Sequence, residues 1–188
     1  MYETIQIDID AAGVATLTLS RPDKHNALSG EMIAEIHAAA TAFDGDDRVR
    51  VVVLRGAGRS FCAGGDLAWM KAQINATPED RAAAAKKLAA MLGAVNSLSK
   101  PVIAAVQGAA FGGGVGLACV SDKVIASEAA TFGLTETKLG LIPATIGPYV
   151  LARMGRGPRG RFSCRPFRLM RRRLGGWASC PRSSHLMN

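Results

Sequence analysis

A chain of 188 residues, 48% apolar and 20% charged, is long enough for one domain with a real core and too apolar for a disordered polypeptide. No apolar run approaches the ~20 residues of a membrane helix, and Met1-Tyr2-Glu3-Thr4-Ile5 lacks the basic and apolar regions of a secretory leader, so no membrane contact and a soluble, cytoplasmic protein are expected. The net charge of +8 joins two unlike parts: residues 1–154 carry 14 Lys and Arg against 15 Asp and Glu, whereas residues 155–188 carry nine Arg and no acid.

In chain order, Ile5, Ile7 and Ile9 alternate with polar residues, and Val14 to Leu19 alternate again after Ala12-Gly13, which predicts a β-hairpin. Arg21-Pro22-Asp23-Lys24-His25-Asn26 reads as a loop. Ser29 can cap a helix whose Met32, Ile33, Ile36 and Phe43 share a face. Val49 to Leu54 is a short apolar run, as expected of a strand covered on both faces. Thr77-Pro78 opens a long helix that runs to about Leu98. Val102 to Val106, Val124 to Ala126 and Thr131 to Gly133 read as further strands, with a helix through Leu117 and Cys119 between them. Strand–helix alternation predicts an α/β fold.

Cys62, Cys119, Cys164 and Cys180 form no CxxC or Cys/His cluster, so neither a metal site nor a disulfide framework is expected. Two glycine-rich stretches, Gly64-Gly65 and Gly112-Gly113-Gly114, lie where strands give way to helices. A helix start offers unpaired N–H groups and the positive end of the dipole, and glycine lets a ligand approach the backbone closely. Taken alone, the triple glycine is better explained by a tight turn. Dinucleotide-binding, P-loop, nucleophile-elbow and HExxH patterns are absent.

Five segments taken together are specific. Phe61-Cys62-Ala63-Gly64-Gly65-Asp66-Leu67, Lys100-Pro101-Val102-Ile103-Ala104-Ala105-Val106-Gln107-Gly108, Phe111-Gly112-Gly113-Gly114, Phe132-Gly133-Leu134-Thr135-Glu136 and Leu139-Gly140-Leu141-Ile142-Pro143 resemble the enoyl-CoA hydratase/isomerase, or crotonase, family in order and spacing. The resemblance covers about residues 3–154 and implies a ββα spiral of the ClpP-like type. It implies a site for an acyl-CoA thioester, with coenzyme A as part of the substrate and no separate cofactor. By the same resemblance, the amides of Ala63 and Gly113 form an oxyanion hole for the thioester carbonyl. Lys24, Ala27, Gly64, Gly65, Asp66, Leu67 and Gly112 would line the substrate, with Lys24 reaching a phosphate and Asp66 chiefly shaping its loop and capping a helix.

Hydratases of the best-known type carry two glutamates, one of which falls here on Gly116. Glycine cannot transfer protons, which leaves Glu136 as the single acid/base expected. The stretches Leu67-Ala68-Trp69-Met70-Lys71, Gly133 to Lys138 and Leu141 to Val150 look most like the methylglutaconyl-CoA hydratase branch. Fatty-acid or branched-chain acyl-CoA breakdown is the implied setting. An alternative is a crotonase-fold acyl-CoA-binding protein with impaired catalysis.

After Met154 the resemblance stops, which divides the chain into a core of residues 1–154 and an Arg-rich tail of 155–188 expected to be disordered. If Trp177-Ala178-Ser179-Cys180 is read one base earlier, its codons accommodate Leu-Gly-Leu-Val, and Leu169-Met170-Arg171 accommodates Phe-Asp-Ala; both are family-like. The expectation is a frame-shifted C-terminal region that lacks the helices with which the family builds homotrimers and hexamers. The nine arginines could hold nucleic-acid phosphates. With no stacking aromatic array and an acidic core, no nucleic-acid partner is expected.

Overall fold

The first two strands form because apolar residues alternate about a turn that the chain closes with its own side chain. β1 (Ile5–Ile9) and β2 (Val14–Leu19) pair antiparallel, with Ile5 opposite Leu19 and Ile9 opposite Ala15. Between them Asp10 Oδ1 accepts the N–H groups of Ala12 and Val14 at 2.8 and 2.9 Å. A computed structural model describes residues 2–136 and 140–154, with the backbone alone of 167–170.

Helix α1 (Gly30–Asp44) begins where Ser29 Oγ accepts the N–H of Met32, and it buries Met32, Ile33, Ile36, Ala39, Ala40 and Phe43. β3 (Val51–Gly56) then returns parallel to β2. Asp66 opens α2 (Leu67–Ile74), and Thr77 caps α3 (Pro78–Asn96), which packs Met91, Leu92 and Val95 into the core against α1. β4 (Val102–Val106) pairs parallel with β3, and β6 (Lys123–Ala126) with β4, giving the sheet order β1-β2-β3-β4-β6. Each parallel pairing requires a crossover. The crossovers carry α1, then α2 with α3, then α4 (Gly113–Val120).

A second layer repeats beside the first. β5 (Ala109–Phe111), β7 (Thr131–Leu134) and β8 (Phe167–Met170) form a sheet in the order β5-β7-β8, and single bridges join Cys62 to Ala110 and Leu28 to Gly65. The chain leaves β3, touches the second layer at Cys62 and enters α2; it leaves β4, runs through β5 and enters α4. This is the ββα repeat expected, and both glycine-rich stretches fall at its strand-to-helix corners. The last helix, α5 (Gly147–Met154), closes on α4. One apolar cluster runs through all of it, including Leu17, Leu54, Met32, Leu92, Val102 and Leu117. Each such fully buried side chain contributes about 1.5–3 kcal/mol.

Two boundaries differ from the sequence reading for one reason. Val49 is 1% exposed yet precedes β3, and Leu98 is 3% exposed yet follows α3, because an apolar pattern reports burial rather than pairing. The expectation of a disordered tail is corrected at Phe167–Met170, which pairs antiparallel with β7, Thr131 opposite Met170 and Leu134 opposite Phe167. The remainder of 155–188 lies outside the described residues.

Candidate active site

The loop after β2 is held by a buried asparagine. His25 and Asn26 adopt left-handed φ angles of 51° and 54°, a region asparagine tolerates because its short side chain bonds locally. Asn26 Oδ1 accepts the N–H of Arg21 at 2.9 Å, and its Nδ2 donates to the carbonyls of Ala57 and Ser60, both at 2.8 Å. His25 Nδ1 lies 3.0 Å from Ser60 Oγ and its Nε2 lies 3.1 Å from Arg59 Nη2. A guanidinium only donates, so Nε2 accepts and Nδ1 carries the proton to Ser60. That direction is opposite to what an activated serine nucleophile needs.

Four of the six backbone amides along Phe61–Asp66 are committed. Phe61 N–H donates to Gln107, Cys62 to Ala109, Ala63 to the His25 carbonyl at 3.0 Å, and Asp66 to Leu28 at 2.9 Å. The Ala63 amide is therefore occupied, which corrects its expected place in the oxyanion hole. At Gly64 the chain reverses with a φ of +98°, and its carbonyl accepts the Leu28 N–H at 2.7 Å. Among the described residues the amides of Gly64 and Gly65 are left without a partner on this loop, and Gly65, beyond that reversal, bridges Leu28.

Gly112 faces this loop. It has a φ of +47°, its N–H donates to the Gly133 carbonyl at 3.0 Å, and a Cβ placed on it would stand 3.7 Å from the Gly64 Cα. Gly113 opens α4, so its N–H is one of the first-turn donors with no helical acceptor. A Cβ on Gly113 would meet Leu28 Cδ1 at 2.6 Å, and one on Gly114 would meet the Cys62 carbonyl at 2.4 Å. Gly114 thus serves packing, Gly113 makes room for Leu28, and both Gly112 and Gly113 bring backbone close to Gly64.

Glu136 completes the cluster. The pairing of β5 with β7, Phe111 opposite Gly133, carries the chain past Gly112, and Glu136 Oε1 comes to 3.0 Å from the position of a Gly112 Cβ. Its Oε2 is buried and has no hydrogen-bond partner among the described residues. Burial pushes the carboxyl above its ordinary range, and the amides of Glu136 and Thr135 pull it down less strongly. Gly116, one turn along α4 from Gly112, is buried against apolar neighbours.

Asp66 has the opposite environment. Its Oδ1 accepts the N–H groups of Ala68 and Trp69 at 2.9 and 3.1 Å, capping α2, and its Oδ2 receives Arg21 Nη2 at 2.9 Å. Burial alone would raise this carboxyl, but the bonds from Trp69, Arg21 and Ala68 together with the Arg21 charge hold it below the usual carboxylate range. Arg21 Nη1 also donates to the Ala27 carbonyl at 2.7 Å, so Ala27 sits in the loop scaffold. Lys24 is exposed, and Leu67 is 65% exposed at the start of α2. The Arg21–Asp66 pair and the His25–Ser60–Arg59 cluster escape sequence reasoning, because their members lie 34 to 45 positions apart.

Cys62 and Cys119 are free and buried, and burial pushes both thiols up to about 12, far from the thiolate a nucleophile or metal ligand needs. Among the described residues no three His, Cys, Asp or Glu side chains come together to hold a metal, and no helix is long and apolar enough to cross a membrane.

Known proteins resemble this chain in sequence and fold. A relative in Mycobacterium tuberculosis named as a probable enoyl-CoA hydratase is 40% identical over 152 residues, covering 81% of this chain and 58% of its own. A 1,2-epoxyphenylacetyl-CoA isomerase of Escherichia coli is 38% identical over 143 residues, covering 76% of this chain and 55% of its own. The crystal structure of an enoyl-CoA hydratase from Shewanella pealeana superposes with a TM-score of 0.90 at 38% identity, over 94% of this chain and 66% of that one. The chain thus spans little more than half the length of these two curated relatives. The family described as enoyl-CoA hydratase/isomerase matches residues 10–156, which include both glycine corners and Glu136, and the chain belongs to that family and has its crotonase fold.

Proposed function

We propose that the protein binds an acyl-CoA thioester, holds its carbonyl oxygen with the amides of Gly65 and Gly113, and moves one proton with Glu136 as the single acid/base. The observation that carries this reading is Glu136 itself. It is a half-buried carboxyl whose buried Oε2 has no partner among the described residues, and it is set against Gly112, the residue before a helix-start amide with no helical acceptor. Taking a proton from C2 of a thioester leaves an electron pair that must rest on the carbonyl oxygen. Two amides at ~2.7–3.1 Å would hold that charge, each contributing about 3 kcal/mol in the transition state. A carboxyl with a raised pKa can accept and return the proton near neutral pH. Water addition to a conjugated enoyl thioester and migration of a double bond into conjugation both pass through this ion.

Lys24 is free at the surface to meet a CoA phosphate, and the reaction needs no cofactor beyond the CoA of its substrate. The finer assignments extend the same reading: a substrate of the methylglutaconyl-CoA type, a place in fatty-acid or branched-chain acyl-CoA breakdown, a cytoplasmic setting, and a homotrimer or hexamer for a chain of full family length. The Arg-rich composition after Met154 supports a shifted reading frame, which DNA sequencing around codon 155 tests. A second reading, an acyl-CoA-binding protein with impaired catalysis, is favoured by Gly116. Incubation with 2-enoyl and 3-enoyl CoA thioesters, following the conjugated enoyl absorbance, separates the two. Turnover that Glu136→Gln abolishes supports the enzyme, and thioester binding with no absorbance change supports the binding protein.

A further inference from the structure

Gly65 carries one of the two amides assigned to the thioester carbonyl, and a single side chain lies against it. A Cβ placed on Gly65 would meet Met70 Sδ at 2.9 Å and Met70 Cγ at 3.2 Å. A Cβ stands about 2.5 Å from the nitrogen of its own residue, so the thioether sulfur lies within about 5.4 Å of the Gly65 amide nitrogen. The backbone that carries Met70 is held in place. Its N–H donates to the Asp66 carbonyl at 2.8 Å, and Asp66 caps α2. Trp69 anchors the same turn, with its Nε1 3.1 Å from the position of a Gly30 Cβ at the start of α1. The Met70 side chain is partly exposed, whereas Met32 and Met91 are 0% exposed in the core. A thioether is only a weak acceptor, so its contact leaves the Gly65 N–H open to a substrate.

We infer that Met70 is a modification site, at which hydrogen peroxide converts the thioether to a sulfoxide whose oxygen takes the Gly65 N–H and closes the carbonyl site. This rests on the proposed role of Gly65. One peroxide oxygen bonds to Sδ, the O–O bond breaks, the sulfur gives up two electrons, and the other oxygen leaves as water. The product carries a polar oxygen where the parent has a weak acceptor. That oxygen stands one bond beyond the sulfur on a side chain with three rotatable bonds, which brings it within hydrogen-bond reach of the Gly65 nitrogen. The neighbouring thiol does not compete: Cys62 is buried and far from its thiolate form, and thiol oxidation follows thiolate character and exposure. Enzymatic reduction of the sulfoxide reopens the site.

The full chain and Met70→Leu, which keeps the bulk and lacks the sulfur, are treated with hydrogen peroxide and assayed with 2-enoyl and 3-enoyl CoA thioesters. Peptide mass spectrometry follows each methionine, and each protein is compared with its own untreated rate. Met70 should gain one oxygen at least five-fold faster than Met32 and Met91. Turnover should fall at least ten-fold in step with Met70 and recover with methionine sulfoxide reductases for both epimers, while Met70→Leu loses less than two-fold. Saturating butanoyl-CoA should slow oxidation of Met70 at least three-fold and leave partly exposed Met154 unchanged. Equal losses in the parent and Met70→Leu, or full turnover with Met70 oxidised, overturn the inference and leave the role of Gly65 standing. Oxidation of Met70 no faster than that of Met32 and Met91, or no protection by bound butanoyl-CoA, overturns it too. An untreated chain that binds thioesters without turnover is read through affinity: butanoyl-CoA held at least five-fold more weakly after Met70 oxidation supports the site, and equal affinity overturns it. An untreated chain that binds no thioester overturns both this inference and the proposed function.

Discussion

Asp66 and Glu136 are two carboxylates in the same small region with opposite treatment. Asp66 receives two helix-start amides and a guanidinium, so its charge is held and it serves the loop. Glu136 is left with a buried oxygen that has no partner among the described residues, so its charge is disfavoured and its proton is available for chemistry. The comparison teaches that a buried acid works in structure or in reaction according to how many donors the backbone gives it.

Removal of each carboxylate breaks the comparison most sharply. Glu136→Gln should lower kcat about 10²–10⁴-fold while thermal unfolding stays close to the parent. A matching loss of Tm would mean that Glu136 belongs to the scaffold. Asp66→Ala should do the reverse in kind: it removes the cap of α2 and leaves Arg21 without its anion, so chemical denaturation should show a loss of about 1–3 kcal/mol. Arg21→Ala should lose less, and the two losses should not add, since both break one ion pair.

Titration sharpens the comparison further. The Glu136 carboxyl is raised above its ordinary 4.5, so the stability it contributes is fully present below that pH and is lost as pH rises through the folded value. The Asp66 carboxyl is lowered below its ordinary 3.8, so its contribution is present above that pH and is lost as pH falls through the folded value. Denaturation of the parent against Glu136→Gln and Asp66→Asn across the acid range should give stability differences with opposite pH windows. The smallest effect is expected at exposed Lys24, where Lys24→Ala should raise KM for a CoA thioester by about two- to five-fold without changing kcat, and less at high salt.

Much of the fold is local in origin and therefore readable along the chain. The hairpin turn at Asp10–Gly13, the caps Ser29, Thr77 and Asp66, and the apolar faces of α1 and α3 all depend on residues within a few positions of each other. The resemblance carried by the Phe-Gly-Gly-Gly and Phe-Gly-x-x-Glu segments also indicated Gly113 and Glu136. Which amide of the Phe61–Asp66 run stays open was not readable. Hydrogen bonding there is decided by His25 and Leu28, which approach from another loop, and by the reversal at Gly64. The raised proton affinity of Glu136 is likewise a tertiary property: it comes from the neighbours that exclude water and from the absence of a described donor at Oε2. Ile146 is the clearest case. In the sequence it is one apolar residue between Thr145 and Gly147, and only the return of its loop onto α4 packs it against Gly116, 30 positions away. Periodicity and capping set the elements because they act over one or two turns of chain. The site was decided in three dimensions because it is made of the groups those elements leave unpaired.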